Sequence, residues 1–374
     1  MFARSMKILF IVNVDWFLVS HRLPIAQEAL KKGYEVHVAT AFTNKKNFLI
    51  NEGFKLHEIS FKRSDSGIVS FFKDLIKIIY LYIKIKPNIV HLITIKPVII
   101  GLLASYIVPR SKFVASISGL GYIFSSNSLK ALIKRYVITF LYKICFSRKD
   151  LKVIFQTKND RDILMKIKSL KTKNIYLIPG SGVDLIKLKP LEKVPASDTV
   201  LFASRLLFSK GIKEYIEAAK IVKNIKFLVA GEIDPNNIET ISKEDIQIWS
   251  KIKNVEFIGY QNQMQEIINK CSIVVLPSYY GEGIPKILIE AAACGRPIIT
   301  TNHPGCRDAI IPGITGLLVP KKNSNELSKT IVKLLKDRDL RITMGIAARQ
   351  LALKKYSIRE VVNNHMQIYR ELLF

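Results

Sequence analysis

The chain is 374 residues long, 49% hydrophobic and 9% aromatic, and its 58 Lys and Arg outnumber 30 Asp and Glu for a formal net charge of +28. That composition excludes a disordered chain, and the length fits two domains better than one. The charge divides as +21 over residues 1–190 and +7 over residues 191–374, so the first half is expected to meet something anionic: nucleic acid, an acidic membrane surface or a phosphorylated substrate. A lysine-rich surface without functional meaning is the plain alternative.

The N-terminus, "MFARSMKILFIVNVDWFLVS", starts basic and turns apolar as a signal peptide does. Asn13 and Asp15 interrupt the apolar run and no small-residue cleavage site follows, so "KILFIVNV" reads as a buried parallel strand. From there β-branched runs alternate with helical patterns. Strands are predicted over 7–14, 35–39, 55–59, 89–93, 112–118, 153–156 and 175–178 in the first half. In the second they fall over 199–203, 226–230, 255–258, 273–276, 297–301 and 316–319.

This pattern predicts an α/β chain of two doubly wound, Rossmann-like domains, with the ligand at the carboxyl ends of the strands in the cleft between them. Residues 184–198, "DLIKLKPLEKVPASD", carry two prolines and no periodicity, as a linker does. The domains are therefore expected at 1–190 and 191–355, followed by a C-terminal helix over 356–374.

Two basic, aromatic-rich helical stretches stand out in the first half, residues 68–86 and 129–149. Each either covers the sheet with its lysines in water or lies on an anionic membrane. The apolar run 97–109 is too short to span a bilayer. Cys145, Cys271, Cys294 and Cys306 contain no CxxC pair, and the six histidines form no ligand cluster, so free thiols and no metal are expected, as suits a reducing cytoplasm.

The chemistry concentrates in "YYGEGIPKILIEAAACGR", residues 279–296. A strand feeds a glycine turn at Gly281 and Gly283, and then a helix over 284–294 with Pro285 in its first turn and Gly295 at its C-terminal cap. Such a helix start favours a phosphate. Glu282 sits in the turn and Glu290 two turns later, about 10 Å apart, a span that fits a nucleotide-sugar whose sugar and ribose hydroxyls donate to the two carboxylates. Glu290, flanked by Ile and Ala, is costly to bury without a partner, whereas Glu282 also reads as an exposed turn residue. In "ASRLLFSKG", Arg205 and Lys210 follow a strand and are placed to neutralise a diphosphate without a metal.

These elements, with "ACGRPIITTNHPGCRDAI" and "KILFIVNVDWFLVSHRLPIA", resemble the retaining glycosyltransferases of family four, which have the GT-B fold, over nearly the whole chain. "SHRLPIA", "HLITIKP" and "SISGLGYIF" are similar, more narrowly, to bacterial enzymes that add a hexosamine or uronic acid to an undecaprenyl-diphosphate-linked sugar in O-antigen or related glycan assembly. The resemblance implies that Arg205 and Lys210 hold the donor diphosphate and Glu290 the ribose. Glu282 with the Gly283 and Ile284 backbone holds the donor sugar, and Gly231, Glu232, Gly259 and Tyr260 lie near the nucleotide. It also implies a last helix returning to the N-terminal domain, no metal or cofactor, and a place on the inner face of the cytoplasmic membrane.

Two departures from the family pattern bear on the acceptor side. Ser118 stands where many members have a histidine, and "NVDWF" replaces the usual glycines of the first loop, so Asp15 either faces the acceptor or caps its own loop. His21 and Arg22, at a helix start with Ser20 as N-cap, and Lys96 after the strand "IVHLIT", are candidates for the acceptor's diphosphate; an ordinary surface or loop role is the alternative for each. His91, inside a strand, reads as core. No residue offers an obvious nucleophile for double displacement, so the resemblance favours same-face attack with the leaving diphosphate taking the acceptor's proton. A nucleotide-sugar 2-epimerase is the rival of the same architecture, but its acid/base histidines are not found. A nucleic-acid partner has charge alone in its favour, and no GxGxxG supports an oxidoreductase.

Overall fold

The computed structural model describes residues 5–61, 67–121, 124, 128–167, 169–191, 198–235 and 237–374. Each expected strand forms, within two residues of its predicted ends. In the first half these are β1 (Lys7–Val14), β2 (Glu35–Ala41), β3 (Lys55–Glu58), β4 (Ile89–Ile93), β5 (Lys112–Ile117), β6 (Leu151–Phe155) and β7 (Ile175–Leu177). They pair in the order β3-β2-β1-β4-β5-β6-β7, all parallel. Ile8 to Val12 and the whole of β4 are buried, as expected of central strands covered by helices on both faces.

The second half repeats the plan with β8 (Thr199–Ala203), β9 (Lys226–Ala230), β10 (Val255–Gly259), β11 (Ile273–Leu276), β12 (Ile298–Thr301) and β13 (Gly316–Val319), again all parallel, in the order β10-β9-β8-β11-β12-β13. In each sheet the chain winds outward to one edge and then restarts on the other side of the first strand. The connections from β1 and β4, and from β8 and β11, therefore leave in opposite directions and open a crevice at the strands' carboxyl ends.

The contacts divide the chain into residues 1–181 with 359–374, and residues 182–358. The helix Ile358–Leu373 buries Val361, His365, Met366, Ile368 and Tyr369, one helical face, and belongs with the first unit through residue 374. There the Tyr369 hydroxyl lies 2.6 Å from Nδ1 of His91, whose Nε2 is 2.7 Å from Ser116 Oγ. His91 is core, as its strand position implied. Residues 184–191, expected within a linker, are tied to the second unit: the Arg349 guanidinium donates to the carbonyls of Leu185 and Leu188.

The first loop departs from expectation. The chain forms a short helix Asp15–His21, turns at Arg22 and starts another at Leu23–Lys31. Ser20 is therefore not an N-cap; it lies in the last turn of the first helix, with its hydroxyl 2.5 Å from His21 Nδ1. Asp15 is fully buried and takes the capping role. Its Oδ1 accepts from Trp16 N at 2.8 Å and Thr43 Oγ1 at 2.6 Å, and its Oδ2 from Thr43 N at 2.8 Å and Lys45 N at 2.9 Å. Four donors leave it no acceptor capacity for a substrate. Removing this carboxylate strands three backbone N–H groups, so Asp15→Ala is expected to lower the unfolding free energy by roughly 2–4 kcal/mol in denaturant titrations. A loss below about 1 kcal/mol would reject the capping role.

Candidate functional site

In the second unit the site is built where backbones touch. Gly231, just after β9, has φ 140°, and a Cβ there would sit 1.8 Å from the Ser204 carbonyl oxygen. Only glycine permits this approach, which lets Leu206 N donate to Glu232 O at 2.9 Å and Gly231 N to Gly259 O at 2.9 Å. The loops after β8, β9 and β10 are thereby stitched together, bringing Arg205, Gly231, Glu232 and Gly259 into one neighbourhood; Tyr260 follows Gly259 and is exposed.

Gly211 does the same on the other side of the crevice. At φ 81° it caps the 3-10 turn Phe208–Lys210, and a Cβ would lie 2.3 Å from the Pro277 carbonyl oxygen just beyond β11. The close approach sets Lys210, nearly buried, against Glu282: its ammonium pairs with Glu282 Oε1, which also accepts from Ser278 Oγ at 3.2 Å. The Lys210 ammonium lies 5.3 Å over the Tyr280 ring. The glycine turn is held from beneath, because a Cβ on Gly305 would fall 2.3 Å from Gly283 O and Thr301 Oγ1 donates to Ser278 O.

Arg205 is likewise engaged, its Nη1 2.7 Å from Asp234 Oδ2. Sequence reasoning passed over Asp234, Ser278, Thr301 and Gly305. The signals were present in "GEIDP", "PSYYGEG" and "HPG", but a counter-ion 29 residues away has no local pattern.

The helix after the turn begins at Lys286, two residues later than expected, and ends at Ala293, one residue earlier, with Pro285 as its N-cap at ψ 130°. Proline's missing N–H costs nothing there, but its extended ψ keeps it outside the first turn. Gly283 and Ile284 are buried beside that start. Glu290 projects from the helix with 13% of its side chain exposed and Lys286 Nζ 3.5 Å away. Burial raises its pKa, and the Lys286 charge offsets that only in part. The same burial, with Glu290 beside it, pushes the Cys294 thiol up to about 12. Four buried, unbridged cysteines match the expected free thiols.

The residues expected to meet the acceptor belong to the first unit and separate into two kinds. Lys96 Nζ lies 2.9 Å from Asp74 Oδ2 on the helix Ile68–Ile85. His21 stacks on Phe17 at 4.3 Å between ring centres. Arg22 and Ser118 come together instead, Nη2 donating to Oγ at 3.2 Å, and Gln156 Nε2 reaches the same oxygen at 3.5 Å. Among the described residues no three His, Cys, Asp or Glu side chains are grouped to hold a metal, and no helix is long and apolar enough to cross a membrane.

Residues 186–351 match the family model for glycosyl transferases group 1, and residues 7–157 that for glycosyl transferase 4-like domains. A Campylobacter jejuni N,N'-diacetylbacillosaminyl-diphospho-undecaprenol alpha-1,3-N-acetylgalactosaminyltransferase is 27% identical, covering 98% of this chain and 99% of its own. An Escherichia coli UDP-Gal:alpha-D-GlcNAc-diphosphoundecaprenol alpha-1,3-galactosyltransferase is 23% identical over 82% of this chain and 81% of its own. Among solved structures, Anabaena Alr3699/HepE in complex with UDP superimposes with a TM-score of 0.77 at 18% identity, covering 98% of this chain and 100% of that one. The last of these likenesses establishes the fold.

The raised Glu290 pKa has a consequence for stability. The folded state binds the proton more tightly than the unfolded chain, so stability present at low pH is lost as pH rises through the folded-state pKa. Glu290→Gln is expected to be more stable than the natural chain at neutral pH, with the gap closing as pH falls toward the ordinary carboxylate range near about 4.3. Thermal midpoints measured across that range check this; a gap that does not change with pH would contradict it.

Proposed function

The chain belongs to the glycosyltransferases, its halves carrying the 4-like and group 1 domains of the GT-B fold, and from that premise we propose that it moves a sugar from a UDP-sugar to an undecaprenyl-diphosphate-linked acceptor sugar with retention of configuration. The observation that carries the reading is the Lys210 and Glu282 pair set across the crevice between the loops after β8 and β11, with Arg205 in the first of those loops. The UDP complex of the Anabaena neighbour supports the nucleotide, and the lipid-linked substrates in the names of the Campylobacter and Escherichia relatives support the acceptor.

In this reading Arg205 and Lys210 grip the donor diphosphate and stabilise the charge that grows as it leaves. Both cations are already held by carboxylates, so the diphosphate replaces Asp234 and Glu282 as counter-ion rather than neutralising bare charge. Glu282, released from Lys210, is then free to accept from a donor-sugar hydroxyl beside the Gly283 and Ile284 backbone. Glu290 accepts from the ribose hydroxyls; the nucleotide adds donors to a buried carboxylate that Lys286 stabilises only in part. Gly231, Glu232, Gly259 and Tyr260 line the nucleotide. The attacking hydroxyl approaches on the face of the leaving diphosphate, which takes its proton, and no metal is needed. The donor sugar is of hexosamine or uronic-acid type, and the product belongs to O-antigen or a related glycan.

The reading places the chain on the inner face of the cytoplasmic membrane. Val69, Phe72, Ile76, Tyr80 and Ile83 of helix Ile68–Ile85 are exposed, as are Leu132, Ile133, Tyr136, Val137 and Phe140 of helix Leu129–Cys145, interleaved with lysines. Apolar side chains turned to solvent on basic helices match an anionic bilayer.

Release of UDP from a panel of UDP-sugars, with and without short polyprenyl-diphosphate-linked acceptors that carry either an amino sugar or a uronic acid, tests the activity. Acceptor-dependent release from one donor is expected, falling about 10²- to 10³-fold in Arg205→Ala or Lys210→Ala. Acceptor-independent consumption of the UDP-sugar would favour the 2-epimerase, and no UDP binding at all would sink both. In sedimentation with vesicles, binding should need anionic lipid, weaken with salt and drop about tenfold in a Phe72→Glu, Tyr136→Glu double variant. Equal binding to neutral vesicles would count against the charge match.

A further inference from the structure

The first unit contains a buried charge without a counter-charge. Arg22 is 1% exposed; its Nη1 donates to His21 O at 3.1 Å and its Nη2 to Ser118 Oγ at 3.2 Å, while its Nε is out of water and has no acceptor. Among the described residues no carboxylate forms an ion pair with it. Burial lowers its pKa to about 10, and the group that opposes the shift is the Tyr369 hydroxyl. The rings of the same cluster add no charge: burial holds His91 far below its ordinary pKa and His365 at about 3, so both are neutral at physiological pH. A guanidinium removed from water and left unpaired is strongly disfavoured, and a bound anion would relieve that cost.

The free atoms define the anion. The Nε and Nη2 edge of a guanidinium is the fork that takes two carboxylate oxygens in parallel, and Nε is the donor left unused. Ser118 Oγ accepts from both Arg22 and Gln156, so its own proton remains to be donated. Ser118 and Gln156 directly follow β5 and β6, at the carboxyl end of the sheet where α/β folds bind ligands.

We propose that Arg22 and Ser118 form a subsite for a single carboxylate, so that the sugar read in the first unit is a uronic acid. Charge balance selects a carboxylate over the acceptor's diphosphate. A diphosphate brings two or more negative charges, whereas among the described residues no second cation acts on Arg22, and Lys96 is paired with Asp74. The subsite deepens the glycosyltransferase reading and rests on it for the identification of the ligand as a sugar.

The test uses the full chain and three probes at constant ionic strength: D-glucuronate, D-glucose and inorganic pyrophosphate, read by thermal midpoint and titration. D-Glucuronate, not D-glucose, is expected to stabilise the natural chain, with affinity falling about tenfold or more in Arg22→Gln. Ser118→Ala, at a partly exposed position and removing a single hydroxyl, should weaken it about threefold and serves if Arg22→Gln fails to fold. No preference for glucuronate over glucose, or a preference that survives both substitutions, overturns the proposal. Dependence on Arg22 for pyrophosphate instead of glucuronate also overturns it and assigns the residue to a diphosphate. UDP is titrated in parallel: its failure to bind would remove the glycosyltransferase reading, while the glucuronate response still decides the carboxylate.

Discussion

The candidate site depends on backbone segments approaching closer than any side chain allows. At Gly231, Gly211 and Gly305 a methyl group would fall within 2.3 Å of a carbonyl oxygen of the neighbouring loop. Without those contacts the connections after β8, β9, β11 and β12 would stand apart, and Arg205, Lys210 and Glu282 would be ordinary surface charges. Parallel strands make this possible, because every strand ends on the same edge and the reversal of winding between β8 and β11 leaves the loops on either side with room to meet. The candidate site's side chains are thus positioned by residues that have none.

Once the loops meet, electrostatics decides what the site can accept. Lys210 lies too deep to remain unpaired and pairs with Glu282, while the part-buried Arg205 pairs with Asp234. A ligand must then offer a better anion than a carboxylate, with more charge and more acceptor oxygens; a diphosphate meets that condition, and a neutral sugar does not. Glu290 obeys the opposite logic. Its environment disfavours charge, so it gains most from a ligand that brings hydroxyl donors.

Much of this was legible in the sequence, because strand periodicity, glycine turns and the spacing of Glu282 and Glu290 are local signals. The thirteen strands among the described residues were readable from β-branched runs between helical patterns. What escaped depends on distant partners. Asp234 meets Arg205 from the next strand's loop, Asp15 is consumed by Thr43 and Lys45, and Lys96 by Asp74, none of which spacing encodes. The two-helix entry over 15–31 was missed for a related reason: Ser20 has the chemistry of an N-cap, but Arg22 is where the chain turns, because its guanidinium is buried against Ser118, 96 residues away.

The two basic helices show where sequence pattern and fold disagree. An amphipathic helix in a soluble domain turns its apolar stripe inward, and Ile78, Leu81, Tyr82 and Ile85 do so in helix Ile68–Ile85. Yet Phe72, Ile76, Tyr80 and Ile83 of the same helix face outward among lysines, so the helix is apolar on more of its circumference than the core can use. The helix Leu129–Cys145 repeats this, with Tyr142 and Cys145 buried and Leu132, Ile133, Tyr136 and Phe140 exposed. Water penalises such a surface at every residue, and lysine stems cover only part of it. The proposed lipid-linked substrate would resolve the conflict, because an enzyme working on a molecule anchored in a bilayer would have an apolar, negatively charged surface beside it at every turnover. On that proposal the excess apolar face and the excess positive charge of the first half answer to one partner.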